Sequence, residues 1–535
     1  MPVIPSHSVR RIRCSNPLRR LPVRAFVGAL AALLLQPAAG LAEGARGNDI
    51  PMETPPSGWV KAPTFEDQAS VTMHRTVIDG QEIRYTATAG TLVLRNAEGA
   101  AQASVFYVAY TRDGVDDPAT RPVTFSFNGG PGAAAVWVHM GAFGPKKVLA
   151  DPEGMPMPPP GKLVSNPHSI LDISDLVFID PVGTGFSRPA PGVDGKKFWG
   201  LEGDIESVGE TIRLWVTRNE RWGSPKFLAG ESYGTIRAAG LAGFLQQRYS
   251  MYLNGVVLIS PVLNYQNQEF DVGNDMAYLT HLPTYAATAR HHGRHGQDVP
   301  GDLQTLLDGV ESFALGDYAL ALLKGDTLVP EERRRIAERV ASYTGLPVDL
   351  VLENNLRIPL WRFQKNLLRG ERKVVGRLDS RYTFVDMDVD REEPEFDPSM
   401  TAVDIGYVTL LNDYLRRDLR FESDLVYESL NREVWPWDYS SHGNRYVNMS
   451  ETLRGAMTRN PNLQVLFVCG YYDFATPYFD SVYTISHMGL APEQRRNVDI
   501  AFYEAGHMMY VRDVDHGKLK RDLVEHFEKA LGGAR

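Results

Sequence analysis

Lys226-Phe227-Leu228-Ala229-Gly230-Glu231-Ser232-Tyr233-Gly234-Thr235 is the stretch on which the reading of the fold turns. An apolar run leads into Gly-x-Ser-x-Gly, and Thr235 to Gln247 has the composition of a helix. Small residues two before and two after a serine permit a strained strand-to-helix turn, which lifts the hydroxyl above a sheet and sets a helix N-terminus beneath a developing oxyanion. Ser232 is therefore a candidate nucleophile. Five loose positions match by chance often enough that the motif needs support from the rest of the chain.

That support lies downstream. The apolar run Gln464 to Cys469 is followed by Gly470-Tyr471-Tyr472-Asp473, which places a carboxylate just past a buried strand. A last strand-like run, Val498 to Tyr503, is followed by Glu504-Ala505-Gly506-His507. Singly, such an aspartate is as readily a turn or cap residue and such a histidine an ordinary loop residue. Ser232, Asp473 and His507 nevertheless stand in the chain order of an α/β-hydrolase triad. In that role Asp473 orients the imidazole, and His507 takes the serine proton and returns it to the leaving group. Upstream, Val123 to Phe127 alternates like a strand and runs into Asn128-Gly129-Gly130-Pro131-Gly132. A plain surface turn has the same composition. In this architecture, however, the loop after an early strand supplies the second oxyanion donor, so the amides of Gly130 and Tyr233 are the expected pair.

Four segments together resemble the serine carboxypeptidase family: Asn128-Gly129-Gly130-Pro131-Gly132, Asp180-Pro181-Val182-Gly183-Thr184-Gly185-Phe186-Ser187, Gly230-Glu231-Ser232-Tyr233-Gly234 and Ala505-Gly506-His507-Met508. They occur in the family's order and span most of the chain beyond its N-terminal segment. The resemblance implies release of C-terminal amino acids from peptides through an acyl-enzyme at Ser232. It also implies that the substrate carboxylate is held by Asn128 and Glu231. Two further carboxylate-binding positions of the family depart: its Trp is Ser126 here, and ungapped alignment through Gly144-Pro145 puts Ala142 at its second Glu. Relatives usually carry two aspartates near Asp473, where this chain has Tyr471-Tyr472 before a single one.

These departures bear on function more than on fold. A substrate carboxylate beside Glu231 is held only if one of the two carboxyls carries a proton, which favours acid pH. Loss of half the clamp weakens selection for a free C-terminus, because rejection depends on buried polar groups left unpaired. An esterase-like acyl hydrolase or acyltransferase on the same scaffold is the nearer alternative, and a non-catalytic periplasmic binding protein the farther one. No metal or organic cofactor is expected, since nucleophile, base and oxyanion donors all come from the chain.

Residues 1 to 42 read as a secretory signal: six arginines and no acidic residue, then an apolar run from Ala25 to Leu35, then Gly40-Leu41-Ala42. The run is shorter than the ~20 residues of a membrane span, so no stable membrane insertion is expected after cleavage. An uncleaved N-terminal anchor is the alternative. Without that segment the 56 basic residues fall to 50 against 65 acidic ones, a balance that argues against nucleic acid as partner. Cys469 would be the one remaining cysteine, so no intrachain disulfide is possible. This fits a bacterial exported enzyme, periplasmic or secreted, stabilised by its core. The oligomeric state is not legible.

A leader follows at 43 to 68, rich in Pro and Gly. The first part of a hydrolase core is expected at 69 to 265, a helical cap insertion at 266 to 437, and the second part of the core at 438 to 535. Ser70 to Val77, Ile83 to Ala89, Thr91 to Arg95 and Ser104 to Tyr110 alternate as antiparallel strands do. Val123 to Phe127, Leu176 to Ile179, Phe227 to Ala229, Val256 to Ile259, Val465 to Val468 and Ile500 to Tyr503 read as buried parallel strands. The expected fold is thus α/β, a mixed, mostly parallel sheet of eight or more strands flanked by helices. In the insertion, helical periodicity marks Leu303 to Leu323, Glu331 to Thr344 and Asp404 to Arg416, while Asp386 to Glu395 reads as a solvated acidic loop. His291-His292-Gly293-Arg294-His295 lacks the carboxylates or thiols of a metal set and reads as a basic loop. Trp435-Pro436-Trp437 fits either a subsite wall or ordinary packing.

Overall fold

The computed structural model describes residues 65–532; the signal segment and the leader up to residue 64 lie outside the described residues. β1 (Gln68–Ile78), β2 (Gln81–Arg95) and β3 (Ala101–Arg112) form an antiparallel meander. The β1–β2 turn is Asp79-Gly80, with φ of 47° and 78°, the double left-handed geometry that a two-residue hairpin demands. β2 runs unbroken through Gly90, so the two short strands expected over 83–95 are one.

β4 (Val123–Phe127), β5 (Asp175–Ile179), β6 (Lys226–Glu231), β7 (Gly255–Ile259), β8 (Gln464–Gly470) and β9 (Val498–Tyr503) complete the sheet in the order β1-β2-β3-β5-β4-β6-β7-β8-β9, with Arg188–Pro189 pairing to β3. Every pair from β5 onward is parallel. β4 through β8 are buried along their whole length, as strands covered on both faces must be. Strand alternation sorts the core. Phe125 and Leu228 are register partners on one face, where Trp215 of α1 (Leu201–Arg218) meets Phe125 edge-on at 5.6 Å. Phe227 points to the other face and stacks at 3.9 Å on Phe527 of the last helix, Asp513–Ala530. No described helix is long and apolar enough to cross a membrane.

Between β7 and β8 the chain is mainly helical, and two expected helices are broken. Leu303 to Leu323 becomes Leu303–Phe313 and Ala319–Lys324 around a wide turn in which Gly316 leaves helical geometry at φ −107°, ψ −107°. Asp404 to Arg416 is interrupted by an extended Ile405 and by Gly406 at φ 89°, leaving Pro398–Asp404 and Tyr407–Arg417. Glu331 to Thr344 is Pro330–Thr344, with proline at the first turn and Gly345 left-handed at the end. A short ribbon, Lys373–Val375 against Thr383–Val385, carries no clear strand pattern in the sequence. Beside it Asp386 departs from the solvated-loop reading: it is buried and bonded through both oxygens, at 2.7 Å each, to buried Lys365. The alternating charges around it gave no sign of that partner, 21 residues away.

Candidate active site

The site is built on the carboxyl ends of β4, β6, β8 and β9. At the end of β6, Ser232 adopts φ 60°, ψ −132°, a strained conformation for a residue with a side chain. The strain is held by its neighbours: the Ser232 amide donates to Ile259 O of β7 at 3.0 Å, and its carbonyl accepts from Thr235 N at 2.8 Å in the first turn of α2 (Tyr233–Tyr249). A Cβ on Gly230 would stand 2.2 Å from the Gly234 carbonyl oxygen, which is why the turn needs glycine there. The helix starts two residues earlier than its composition indicates, directly at the turn.

The Gly-rich loop after β4 lies against this turn. A Cβ on Gly129 would meet the Tyr233 amide nitrogen at 2.4 Å, so Gly129-Gly130 and the Tyr233 amide are immediate neighbours. Asp180, from the second Gly-rich motif, braces the same loop by accepting from Ala135 N at 2.8 Å. Burial lifts the Asp180 carboxyl to about 7, against the bonds from Ala135 and Tyr427.

Asp473 is fully buried past β8. Its Oδ1 accepts from Ala475 N at 2.8 Å and Thr476 N at 3.1 Å; its Oδ2 accepts from Thr476 Oγ1 at 2.6 Å and lies 2.7 Å from His507 Nδ1. His507 is itself pinned, donating its amide to Leu378 O at 2.6 Å and accepting on its carbonyl from Ser260 Oγ at 2.6 Å. Burial disfavours a charge on its imidazole, but Asp473, through charge and hydrogen bond, outweighs burial, and Glu231 adds to it, so the His507 pKa rises above its ordinary 6.5. With Nδ1 committed to Asp473, Nε2 is the ring atom left for Ser232.

Glu231, buried beside Ser232, accepts from Asn128 Nδ2 at 2.7 Å and from Tyr510 Oη at 2.6 Å. Asn128 Oδ1 in turn accepts from the amides of Trp137 at 3.2 Å and Val138 at 3.0 Å, which sets the amide's orientation. Burial pushes the Glu231 carboxyl from 4.5 to about 7, opposed by His507 and by the bonds from Tyr510 and Asn128. Ser126 and Ala142 are fully buried; the Ala142 carbonyl is taken by Asn166 Nδ2 and His516 Nε2, at 3.0 and 2.7 Å.

Two cavities meet at Ser232. One, of about 480 Å³, contains Asn128, Glu231 and His507 and is walled by Trp137, Met400 and Val403. The other, of about 600 Å³, contains Tyr233, Glu269, His281, Trp361 and Phe474. Trp435 lines both, whereas Trp437 is buried and donates to Tyr233 Oη at 3.1 Å, so the tryptophan pair divides between the two roles open to it. The histidine-rich loop lies elsewhere: His292 Nε2 is 2.8 Å from Ser380 O, and His291 meets Tyr472 edge-on. Among the described residues no cluster of three or more His, Cys, Asp or Glu is arranged to hold a metal ion.

The structure thus brings Ser232, Asp473, His507, Gly130, Tyr233, Asn128 and Glu231 to one place. Sequence reasoning missed Tyr510, Thr476 and Arg237. Arg237 on α2 donates through Nη1 to Asn128 O at 2.6 Å and through Nε to Asp204 at 2.8 Å, all of it buried. Thr476 and Tyr510 each lie three residues beyond a triad position, a spacing that was available but points to no chemistry by itself. Arg237 reads as an ordinary helix residue.

A mostly parallel, helix-flanked sheet with a strained serine turn at the end of a central strand defines an α/β-hydrolase. The serine carboxypeptidase family profile matches residues 81–292 of this chain. The chain is 28% identical over 196 residues to the lysosomal protective protein of Mus musculus, covering 36% of this chain and 35% of that one. It is 27% identical over 173 residues to serine carboxypeptidase-like 45 of Arabidopsis thaliana, covering 31% and 34%. The matches therefore span about a third of the length of these relatives. Among solved structures, the prohormone-processing carboxypeptidase of Saccharomyces cerevisiae aligns over 83% of this chain and 91% of that one, at 14% identity and a TM-score of 0.49.

Proposed function

We propose that this protein is a serine-type carboxypeptidase that releases C-terminal amino acids from peptides. The observation that carries this is Glu231: a buried carboxyl with a raised pKa, held by Asn128 and Tyr510 in a cavity shared with Ser232 and His507. A protonated carboxyl next to a nucleophile suits a partner that is itself a carboxylate. Ser232 Oγ attacks the scissile carbonyl as His507 Nε2 takes its proton, and the Gly130 and Tyr233 amides receive the oxyanion. His507 then protonates the departing amine. Water, activated by the same imidazole, releases the acyl group. The helical residues 266–437 act as a cap that shapes both cavities, and residues 1–42 direct export to a periplasmic or secreted location.

The direct test compares wild type with Ser232→Ala on N-blocked dipeptides bearing a free or an amidated C-terminus. Release of the last residue from the free acid alone, abolished by the substitution, is the expected result. A second reading, acyl hydrolase or acyltransferase, draws on Ser126 and Ala142, which are buried and line neither cavity. Brisk ester turnover with no peptide cleavage would select it.

The pH dependence follows from two groups. Glu231 must be protonated to accept a substrate carboxylate, a form lost as pH rises through about 7. His507 must be neutral to act as base, a form gained as pH rises through its elevated pKa. One proton shared by a coupled pair gives a bell-shaped kcat/KM on free-acid peptides, its alkaline limb falling through about 7, and a rising curve on esters. In Glu231→Gln the alkaline limb should disappear, and the rising limb should move to lower pH because a charge that favours imidazolium is gone. An alkaline limb that survives the substitution unchanged would exclude Glu231 as its source.

A further inference from the structure

We infer that Arg377 binds the substrate's terminal carboxylate, supplying the charge that Ser126 and Ala142 do not; this rests on the carboxypeptidase reading above. Five residues are common to the two cavities that meet at the nucleophile: Gly130, Pro131, Ser232, Arg377 and Trp435. Arg377 is the one ionisable side chain among them. Among the described residues its guanidinium takes part in no hydrogen bond or ion pair, although 32 salt bridges occupy many of the other arginines. An exposed, unpaired guanidinium at the edge of a catalytic cavity has its donor fork free for a ligand.

Its backbone is fixed by the catalytic loops. Arg377 N donates to Asp397 Oδ1 at 2.9 Å, and Arg377 O accepts at 3.0 Å from the amide of Phe474, the residue after Asp473. The next residue, Leu378, accepts the amide of His507. The loop from the short ribbon is therefore tied on both sides to the triad, and the side chain it carries is delivered to the reacting centre. Its positive charge is felt at His507 in one cavity and at Glu269 in the other, consistent with a place between them.

Distance along the substrate selects the group recognised. In a C-terminal residue the carboxylate is separated from the scissile nitrogen by the α-carbon alone, so its binder must stand beside the nucleophile, whereas a side chain reaches away. Arg377 shares both cavities with Ser232; Arg432, also unpaired, lines only the Asn128 cavity. A guanidinium and the Asn128 amide together present a charge-assisted, bidentate site for a carboxylate, with neutral Glu231 alongside.

The test measures Arg377→Ala, Arg377→Lys and Arg432→Ala on N-blocked Phe-Leu, on its C-terminal amide and on p-nitrophenyl acetate. The free dipeptide and its amide are also assayed as competitive inhibitors of the ester reaction. In Arg377→Ala, KM and the inhibition constant for the free acid should rise roughly 10- to 100-fold, the size of one lost hydrogen-bonded charge contact. The amide and the ester should be unaffected, lysine should restore part of the effect, and Arg432→Ala should leave the acid-to-amide ratio near wild type. Equal loss on acid and amide, or no change in their ratio, overturns the inference. If wild type cleaves no peptide, the carboxypeptidase reading fails while the inhibition constants still report on Arg377. If wild type cleaves free acids and Arg377→Ala does so equally well, the reading stands and the inference falls.

Discussion

Asp473→Asn should leave the protein folded and slow every acyl substrate by about four orders of magnitude, the cost of reversing the histidine tautomer in a serine triad. Asparagine can keep its oxygen where Ala475 N and Thr476 N donate at 2.8 and 3.1 Å, so the loop after β8 retains its bonds. Its amide nitrogen then faces His507 Nδ1, 2.7 Å from the present oxygen. A donor at that position makes Nδ1 the acceptor and puts the ring proton on Nε2, where the serine proton must go. The charge that raises the His507 pKa disappears as well. Turnover with unchanged unfolding behaviour checks this. A loss of less than about 100-fold would remove Asp473 from the triad.

Arg237→Ala is expected to cost about 3–5 kcal/mol of stability, because it strands a buried carboxylate. Arg237 and Asp204 are each 1% exposed. Burial raises the Asp204 carboxyl while Arg237 opposes the rise. Without the arginine its folded pKa climbs further above the unfolded one, so protonated Asp204 is favoured in the fold and the deficit grows as pH rises. Denaturant unfolding at about pH 5 and about pH 8 should therefore show the smaller loss at the lower pH. Catalysis should suffer too, since Arg237 holds the Asn128 carbonyl and its guanidinium lies over the Phe127 and Tyr233 rings, at 5.1 and 5.4 Å. A variant as stable as wild type at both pH values would mean the pair is dispensable.

How much of the site was legible follows from the range of the forces involved. The serine turn leaves small residues at Gly230 and Gly234 because a Cβ at Gly230 has nowhere to go. The parallel strands show as short apolar runs because both their faces are covered, and the order of Ser232, Asp473 and His507 follows the strand order of the fold. The broken helices over 303–324 and 398–417 were not legible, because their side chains keep helical periodicity across the break while the backbone turns at Gly316 and Gly406.

Local sterics and burial write themselves into the chain, and so its sequence alone determined the hydrolase fold, the Gly-x-Ser-x-Gly turn, the Gly-rich loop and the strand-end positions of Asp473 and His507. Tertiary structure alone decided which groups surround them. Tyr510 reaches Glu231 across 279 residues, Arg237 reaches Asn128 across 109, and the ribbon that carries Arg377 is stitched to the loops of Asp473 and His507 by main-chain hydrogen bonds. Such contacts impose no spacing or periodicity on the residues that make them, since any arginine or tyrosine brought there by the fold would serve.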